Sequence, residues 1–411
     1  MTVHVTSEIG PLREVLVHTP GPELLAVTPD TREDFLYDDI IDVEIARQEH
    51  GQFIALLQRF ATVHFVRDLL TDLVGSVDLR AQLIRDTMDV VASEPLAAAL
   101  AELPAEDFVT RLIEGSVATP GPLARTLNET GFDLPPLPNL FFTRDSAMTV
   151  GRHAMIGSMR FGIRWTEELI MKALFRFHPR LANDGVLYDG SAERRLNHTL
   201  EGGDVHILRA DTVMIGFSER SSPAAIDRLV DLFFTRTAVE NVIVVVMPKE
   251  NTAIHLDMIF TMLDRGQCIC HAPHFVGPER LATLLWRKGE ATLREMPTVF
   301  AALAELALPL DPVLCGGPRR IMQEREQWAS GCNFLAVRPG VVLSYARNHA
   351  TLDAMSAAGF RVIAGDALLD GGDVLGEGDR AVITFESGEL VRGGGGARCM
   401  SCPVVRDDAW S

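Results

Sequence analysis

The chain has 411 residues, 47% hydrophobic and 23% charged, which supplies a large buried core and excludes a disordered class. Its formal net charge of −18 argues against a nucleic-acid binder and is compatible with a cationic small substrate. No run reaches the roughly 18 apolar residues of a membrane span, the start (MTVHVTSEIG) lacks the basic and apolar regions of a signal peptide, and six cysteines in this length make no secreted disulfide framework. A cytoplasmic protein with reduced thiols is expected.

In chain order, 14–19 (EVLVHT) is a short strand closed by Pro20-Gly21. Residues 48–60 carry Phe53, Leu56, Leu57 and Phe60 at helical spacing, and a strand resumes at 63–66. The character then changes to helix after helix. Leu79, Leu83, Ile84, Met88 and Val91 make one apolar face, and Phe108, Val109, Leu112 and Ile113 another, ended by Gly115. We read 68–137 as an inserted helical domain in an α/β chain made of 1–67 and 138–411.

After Pro138 the strands return and the chain echoes itself. Glu201-Gly-Gly-Asp204-Val205 resembles Asp370-Gly-Gly-Asp373-Val374, and VMIGFSER (213–220) resembles VVLSYARN (341–348). Ser222-Pro223 is a good helix start. The echoes suggest a ββα-type unit used several times, so a closed or propeller-like assembly is considered, against coincidence among glycine-rich turns.

Several residues could carry chemistry. Gly393 to Gly396 deliver Arg398-Cys399 close to the C-terminus. A thiolate there, favoured by Arg398 or by a cationic substrate, would be a nucleophile; taken alone, a free cysteine packed near a chain end is the more ordinary reading. Cys399 and Cys402 also have Cys-x-x-Cys spacing, but a zinc site would need Cys268, Cys270 or His271, whose spacing is not that of a zinc knuckle. In 254–260 (IHLDMIF), read as a strand, alternation would project His255 and Asp257 to one side. Histidine is the usual general acid–base; polar residues on an edge strand are the bland alternative. Glu201 and Asp204 flank a tight turn, and Phe142-Thr-Arg144-Asp145 ends an aromatic strand run with a carboxylate whose partner is a substrate cation or Arg144. Carboxylates near a cysteine raise its pKa, which makes sense where the substrate is itself a cation they clamp. A guanidinium, with its planar fork, matches that need.

Together with SEIGPLREVLVHTPG (7–21), FLYDDI (35–40), PNLFFTRD (138–145), EGGDV (201–205), HLDMIFTMLD (255–264) and ARCMSCP (397–403), these residues identify a resemblance to the arginine deiminases of the guanidine-modifying (pentein) superfamily, over essentially the whole chain. The resemblance implies a five-fold pseudosymmetric α/β-propeller of ββαβ units with a helical insertion. It implies Cys399 as nucleophile, His255 as acid–base, Glu201 as the acid supporting that histidine, and Asp145 and Asp257 as the grip on the guanidinium. Asn139, Arg164 and Arg220 fall where the family holds the α-carboxylate, with Phe142 and Gly393 among the substrate-binding positions. It further implies L-arginine as substrate, hydrolysis to L-citrulline and ammonia through a cysteine thiouronium, no metal or cofactor, no nucleic-acid or membrane partner, and a homo-oligomer. The chain departs from the family where the glycine run lacks an internal arginine, at Ile41-Asp42, and at His50-Gly51. These departures lie near the substrate's amino-acid end or its lid. They keep open a deiminase or amidinotransferase acting on a related guanidino compound.

Overall fold

The computed structural model describes residues 2–91, 93–127, 131–193 and 197–410. Among these residues the strands form five sheets of three or more strands and one two-stranded ribbon. The five larger sheets repeat one pattern, in which a central strand pairs antiparallel on one side and parallel on the other. The central strands are Leu12–Val17, His153–Ile156, Thr212–Phe217, Gln267–Cys270 and Val341–Tyr345. Their antiparallel partners are Cys402–Arg406, Ala147–Val150, Val205–Arg209, Phe260–Asp264 and Leu335–Arg338. Their parallel partners are Thr62–Phe65, Val186–Asp189, Asn241–Val246, Asp311–Leu314 and Ala381–Phe385.

Parallel neighbours need a crossover. Helices Val43–Gln58, Trp165–Phe177, Pro223–Arg236, Val299–Glu305 and His349–Ala357 supply it. The first sheet joins both ends of the chain, since Cys402–Arg406 lies against Leu12–Val17. The segment carrying Cys399 is therefore tied to the start of the chain.

Local chemistry explains these elements. Asn241–Val246 (NVIVVV) is a β-branched run buried through its middle, as suits a strand covered on both faces. The helix expected from residue 48 begins at Val43, because the Asp42 side chain accepts the Ile45 N–H at 2.9 Å and Glu44 faces the positive end of the helix. Ser222 caps its helix, with proline following, as expected.

The helices Val66–Val74, Val77–Val91, Glu94–Glu102, Ala105–Glu114 and Pro122–Leu127 come after the first sheet's Thr62–Phe65 strand. Phe108, Val109, Leu112 and Ile113 are fully buried, and Gly115 ends their helix at φ 74°, a conformation that favours glycine. The first four of these helices share one core with Leu16, Ala147, Ile156 and the helix Trp165–Phe177, whereas Pro122–Leu127 buries no residue.

Of the two echoes, 213–220 and 341–348 are structurally equivalent: each is a central strand leading to a helix. The other is not. The turn at 202–204 runs into strand Val205–Arg209, whereas 370–374 succeeds the short helix Gly365–Leu369, is largely exposed, and reaches no strand until Ala381. Glycine and aspartate specify a turn but not the element that the chain enters next.

Asp42→Ala removes one helix cap and is expected to lower stability by about 1 kcal/mol in urea unfolding. Phe108→Ala, which empties a buried ring site in the shared core, is expected to cost about 3–5 kcal/mol in the same assay.

Candidate active site

In each of the five sheets, the strand that pairs antiparallel with the central strand is preceded by a turn or short connection that carries a buried functional residue. Asp145 lies in the helical turn Thr143–Ser146 ahead of Ala147–Val150. Glu201 immediately precedes the turn Gly202–Asp204 and strand Val205–Arg209. His255 and Asp257 flank and enter the turn Leu256–Met258 ahead of Phe260–Asp264. Asn333 precedes Leu335–Arg338, and Cys399 precedes Cys402–Arg406.

The sequence pattern predicts strand for 254–260 and a strand end at Asp145; both segments are helical turns. At 254–260 the Met258 N–H bonds back to the His255 carbonyl at 3.1 Å, and Asp204 accepts the Leu256 N–H at 3.0 Å, so alternation does not govern where His255 and Asp257 point. Gly203 is needed beside this turn, because a Cβ there would stand 2.6 Å from the His255 ring.

The turns converge on one charged cluster. His255 Nε2 lies 2.8 Å from Glu201 Oε2, and Nδ1 lies 3.7 Å from Asp145 Oδ1. Burial opposes an imidazolium, but Asp145 and Glu201 outweigh it and lift the His255 pKa to about 9. Burial also works against the Glu201 anion, yet Arg220, His255 and Arg164 bring its pKa down to about 2. The pair is therefore imidazolium and carboxylate near neutrality.

Asp145 takes Arg164 as partner at 2.8 Å, not the neighbouring Arg144. Arg144 instead donates from Nε to the Ser401 carbonyl and lies 3.9 Å from Glu8. Arg164 also grips Glu167 through two hydrogen bonds, at 3.0 and 2.8 Å. Burial raises the Glu167 pKa to about 7 in spite of that arginine. Arg220 reaches Glu201 at 3.5 Å and Glu219 at 3.1 Å.

Cys399 Sγ lies 3.5 Å from Asp257 Oδ2 and accepts a hydrogen bond from Asn333 Nδ2 at 3.0 Å. Burial, then Asp257 and Asp145, push its pKa well above that of an ordinary thiol. The sequence suggests Arg398 as the group favouring the thiolate. Its guanidinium instead binds Asp257 at 2.9 Å and Glu8 twice at 3.1 Å, and only partly offsets those acids. The side chains of Asp145 and Asp257 share one feature: Oδ1 of each is buried with no hydrogen-bond partner among the described residues, while Oδ2 is held by an arginine.

A cavity of about 790 Å³ adjoins this cluster through Arg220 and Met258; its lining also includes Tyr37, Asp39, Arg392 and Gly393, and none of Asp145, Glu201, His255, Asp257 or Cys399. Phe142 is buried beneath the glycine run, and Asn139 donates to the Phe35 carbonyl at 2.8 Å while its own carbonyl faces Arg164 at 3.3 Å. The glycine run is packed rather than slack. Gly394 sits at φ 78°, and a Cβ on Gly395 would come within 2.3 Å of the Phe142 ring. Arg392, just before the run, lines the cavity and pairs with Asp39 and Glu389.

Asp145, Glu201 and His255 each offer one ligand atom within 4.8 Å of the others. Arg164 and Arg220 already occupy those carboxylates, and their charges oppose a divalent cation there. The Cys-x-x-Cys spacing brings no metal pair together. Cys402 donates to the Ala147 carbonyl in the core under the helices, Cys399 packs with Phe141 and Phe142, and Cys268 and Cys270 belong to a third core.

Sequence reasoning missed Glu8, Glu167 and Asn333. A signal for Asn333 existed: extending the 341–348 echo backwards places Asn333 ahead of its strand pair where Glu201 and Asp204 stand ahead of theirs.

Residues 33–406 match the family model described as arginine deiminase. The chain is 34% identical to the arginine deiminase of Bacillus cytotoxicus and 32% identical to that of Lactococcus lactis subsp. cremoris, each over 99% of both chains. Among solved structures it resembles SxtG, an amidinotransferase of Microseira wollei from a saxitoxin biosynthetic pathway, with a TM-score of 0.55 and 14% identity, covering 100% of this chain and 99% of that one. It also resembles a DDAH from Pseudomonas aeruginosa complexed with citrulline, with a TM-score of 0.52 and 15% identity, covering 97% and 100%. At those identities the structural likeness speaks for a shared mixed α/β fold.

The His255 pKa is raised above 6.5 in the folded chain, so its ion pair adds stability in full below that pH and loses it as pH rises through about 9. Glu201→Gln removes one of the two main anions responsible. It is expected to move the His255 titration, followed by imidazole NMR, from about 9 to lower pH.

Proposed function

The chain belongs to the arginine deiminase family, and we propose that it hydrolyses the guanidinium of L-arginine to L-citrulline and ammonia with Cys399 as nucleophile. The observation that carries this reading is a pair of buried oxygens without hydrogen-bond partners among the described residues: Asp145 Oδ1, 3.7 Å from His255 Nδ1, and Oδ1 of Asp257, the residue whose other oxygen lies 3.5 Å from Cys399 Sγ. Buried acceptors left without donors are costly, and a guanidinium supplies N–H donors in a fork that suits two carboxylates.

In the proposed mechanism the bound cation offsets the acids that raise the Cys399 pKa, and the thiol releases its proton to solvent as the substrate settles, since His255 already carries one. The thiolate forms a bond to the guanidinium carbon, giving a tetrahedral adduct. His255, charged at neutral pH, donates its proton to the departing nitrogen, and the C–N bond breaks to release ammonia. A thiouronium remains on Cys399. The now neutral His255 takes a proton from water and the hydroxide adds to the same carbon; collapse to the carbonyl breaks the C–S bond, the sulfur leaves with the electron pair and regains a proton as the hydroxyl loses its own, and citrulline is released. Glu201 keeps the imidazole oriented through both steps. The scheme uses no metal and no organic cofactor. Positioning of the clamped cation supplies much of the acceleration.

For the amino-acid end, Arg220, Arg347 and Arg392 line the cavity and offer cationic groups for an α-carboxylate. Asn139, with Phe142 and Gly393, shapes that side. Arg164 joins them only when Glu167 releases it. We further take the five sheets to close as a five-fold α/β-propeller, with 68–137 as an inserted helical domain. The repeated sheet pattern and the joining of the chain ends in one sheet support this. We take the protein to act in the cytoplasm as a homo-oligomer. The six free cysteines suit a reducing compartment, and no described helix is long and apolar enough to cross a membrane.

Cys399→Ser is expected to drop ammonia release to background while the melting temperature stays near that of the parent. Turnover at the parent rate overturns the nucleophile. A screen of guanidino compounds, read by ammonia release, should favour L-arginine over agmatine, which lacks the carboxylate, and should yield citrulline and ammonia in equal amounts whether or not an amine acceptor is added. The rate of the ammonia-releasing step is expected to hold through neutral pH and fall above about 9, as His255 loses the proton it must donate; this is measured by single-turnover kinetics across pH.

A further inference from the structure

We propose that Asn333 is a catalytic residue of this site, donating a hydrogen bond to the Cys399 sulfur while its oxygen fixes the backbone that presents that sulfur. The proposal rests on the reading of Cys399 as nucleophile. Asn333 Oδ1 accepts the backbone N–H groups of Arg398 at 2.9 Å and Cys399 at 3.1 Å. A backbone N–H can only donate, so the oxygen must face these two amides. That settles the orientation of the side-chain amide and leaves Nδ2 toward Sγ, at 3.0 Å.

The donor lies where the sulfur needs it. Cys399 is buried beside two carboxylates that disfavour the thiolate, and Arg398 is committed to Asp257 and Glu8. Asn333 is the side chain that puts a neutral N–H on the sulfur without adding a charge to compete with the substrate cation. It is itself almost fully buried and held from behind: its N–H bonds to the Ser330 carbonyl at 3.0 Å, and its Nδ2 also lies 3.3 Å from the Asp257 carbonyl. A Cβ on Gly396 would stand 2.8 Å from Asn333 Oδ1, so the glycine run is cut away where the asparagine enters. The five-sheet pattern places it too. The connections ahead of the other four antiparallel partner strands bring Asp145, Glu201, His255 with Asp257, and Cys399 to the site, and Asn333 is the contribution of the fifth.

The deciding variant is Asn333→Asp, which keeps an oxygen for the two amides and replaces the N–H donor with a second carboxylate oxygen. It also places a negative charge beside the sulfur, which by itself disfavours the thiolate, so Asn333→Ser, which removes the donor without adding a charge, is measured beside it and must show the same losses. The expected result is a fall in kcat of about 100-fold or more, the scale seen when one preorganised donor is removed, with KM within about threefold. The pH midpoint for alkylation of Cys399 by iodoacetamide should rise by about one unit or more, a tenfold change in thiolate at a given pH. Retention of kcat within about threefold, with an unmoved alkylation profile, overturns the proposal. If the variant does not fold, the parent protein decides. In protein labelled with 15N-asparagine, the Asn333 side-chain amide signal should shift as the Cys399 thiol titrates, and an unmoved signal overturns the role. A Cys399→Ser variant with parent turnover would sink the nucleophile itself, whereas a dead Cys399→Ser beside a fully active Asn333→Asp would sink only this inference.

Discussion

The site depends on buried carboxylates that are each half-satisfied by an arginine. Asp145 is anchored through one oxygen by Arg164, and Asp257 through one oxygen by Arg398. Burying a lone carboxylate costs several kcal/mol, and an arginine partner with good geometry offsets that cost. The remaining oxygen of each acid then faces inward without a donor among the described residues. The protein thus keeps two acceptors in place, which in the proposed mechanism a planar cation completes.

The same arrangement sets the protonation states. Anions around His255 hold its proton on, and those around Cys399 hold its proton on as well. In the proposed mechanism the resting site is therefore an acid ready to protonate a leaving group and a nucleophile that is still a thiol. A cationic substrate reverses the second condition and leaves the first intact. Activation by the substrate's own charge limits stray reactions of the thiol with neutral electrophiles.

Architecture makes this convergence possible. Every group of the proposed mechanism stands on a short turn just ahead of a strand, and each strand belongs to a sheet with the same pairing order. Rigid strands begin immediately after the functional residue, so little chain is free to blur its position. The ion pairs between Arg398 and Glu8, which lie 390 residues apart, tie the nucleophile's segment to the N-terminal segment that precedes the first sheet. The glycine run before Cys399 belongs to this design. Its residues press against Phe142 and the cysteine's own Cβ, where no side chain fits.

The sequence by itself determined the kinds of residue and their local settings. The apolar faces of 43–58 and 105–114, the Ser222 cap and the strand pair around 341–345 are short-range patterns, governed by side-chain spacing and turn chemistry that a linear reading detects. Cys399, His255, Glu201, Asp145 and Asp257 were legible as chemistry-bearing types in distinctive company. Only the tertiary structure decided which arginine serves which acid, that Arg398 belongs to Asp257 and Glu8 rather than to the thiol, and that Asn333 touches the sulfur. It also replaced strand alternation at His255 and Asp257 with a turn closed by Asp204. The reason is physical: pairing of buried charges is settled by three-dimensional proximity and desolvation, between residues tens to hundreds of positions apart, and no local periodicity encodes that distance.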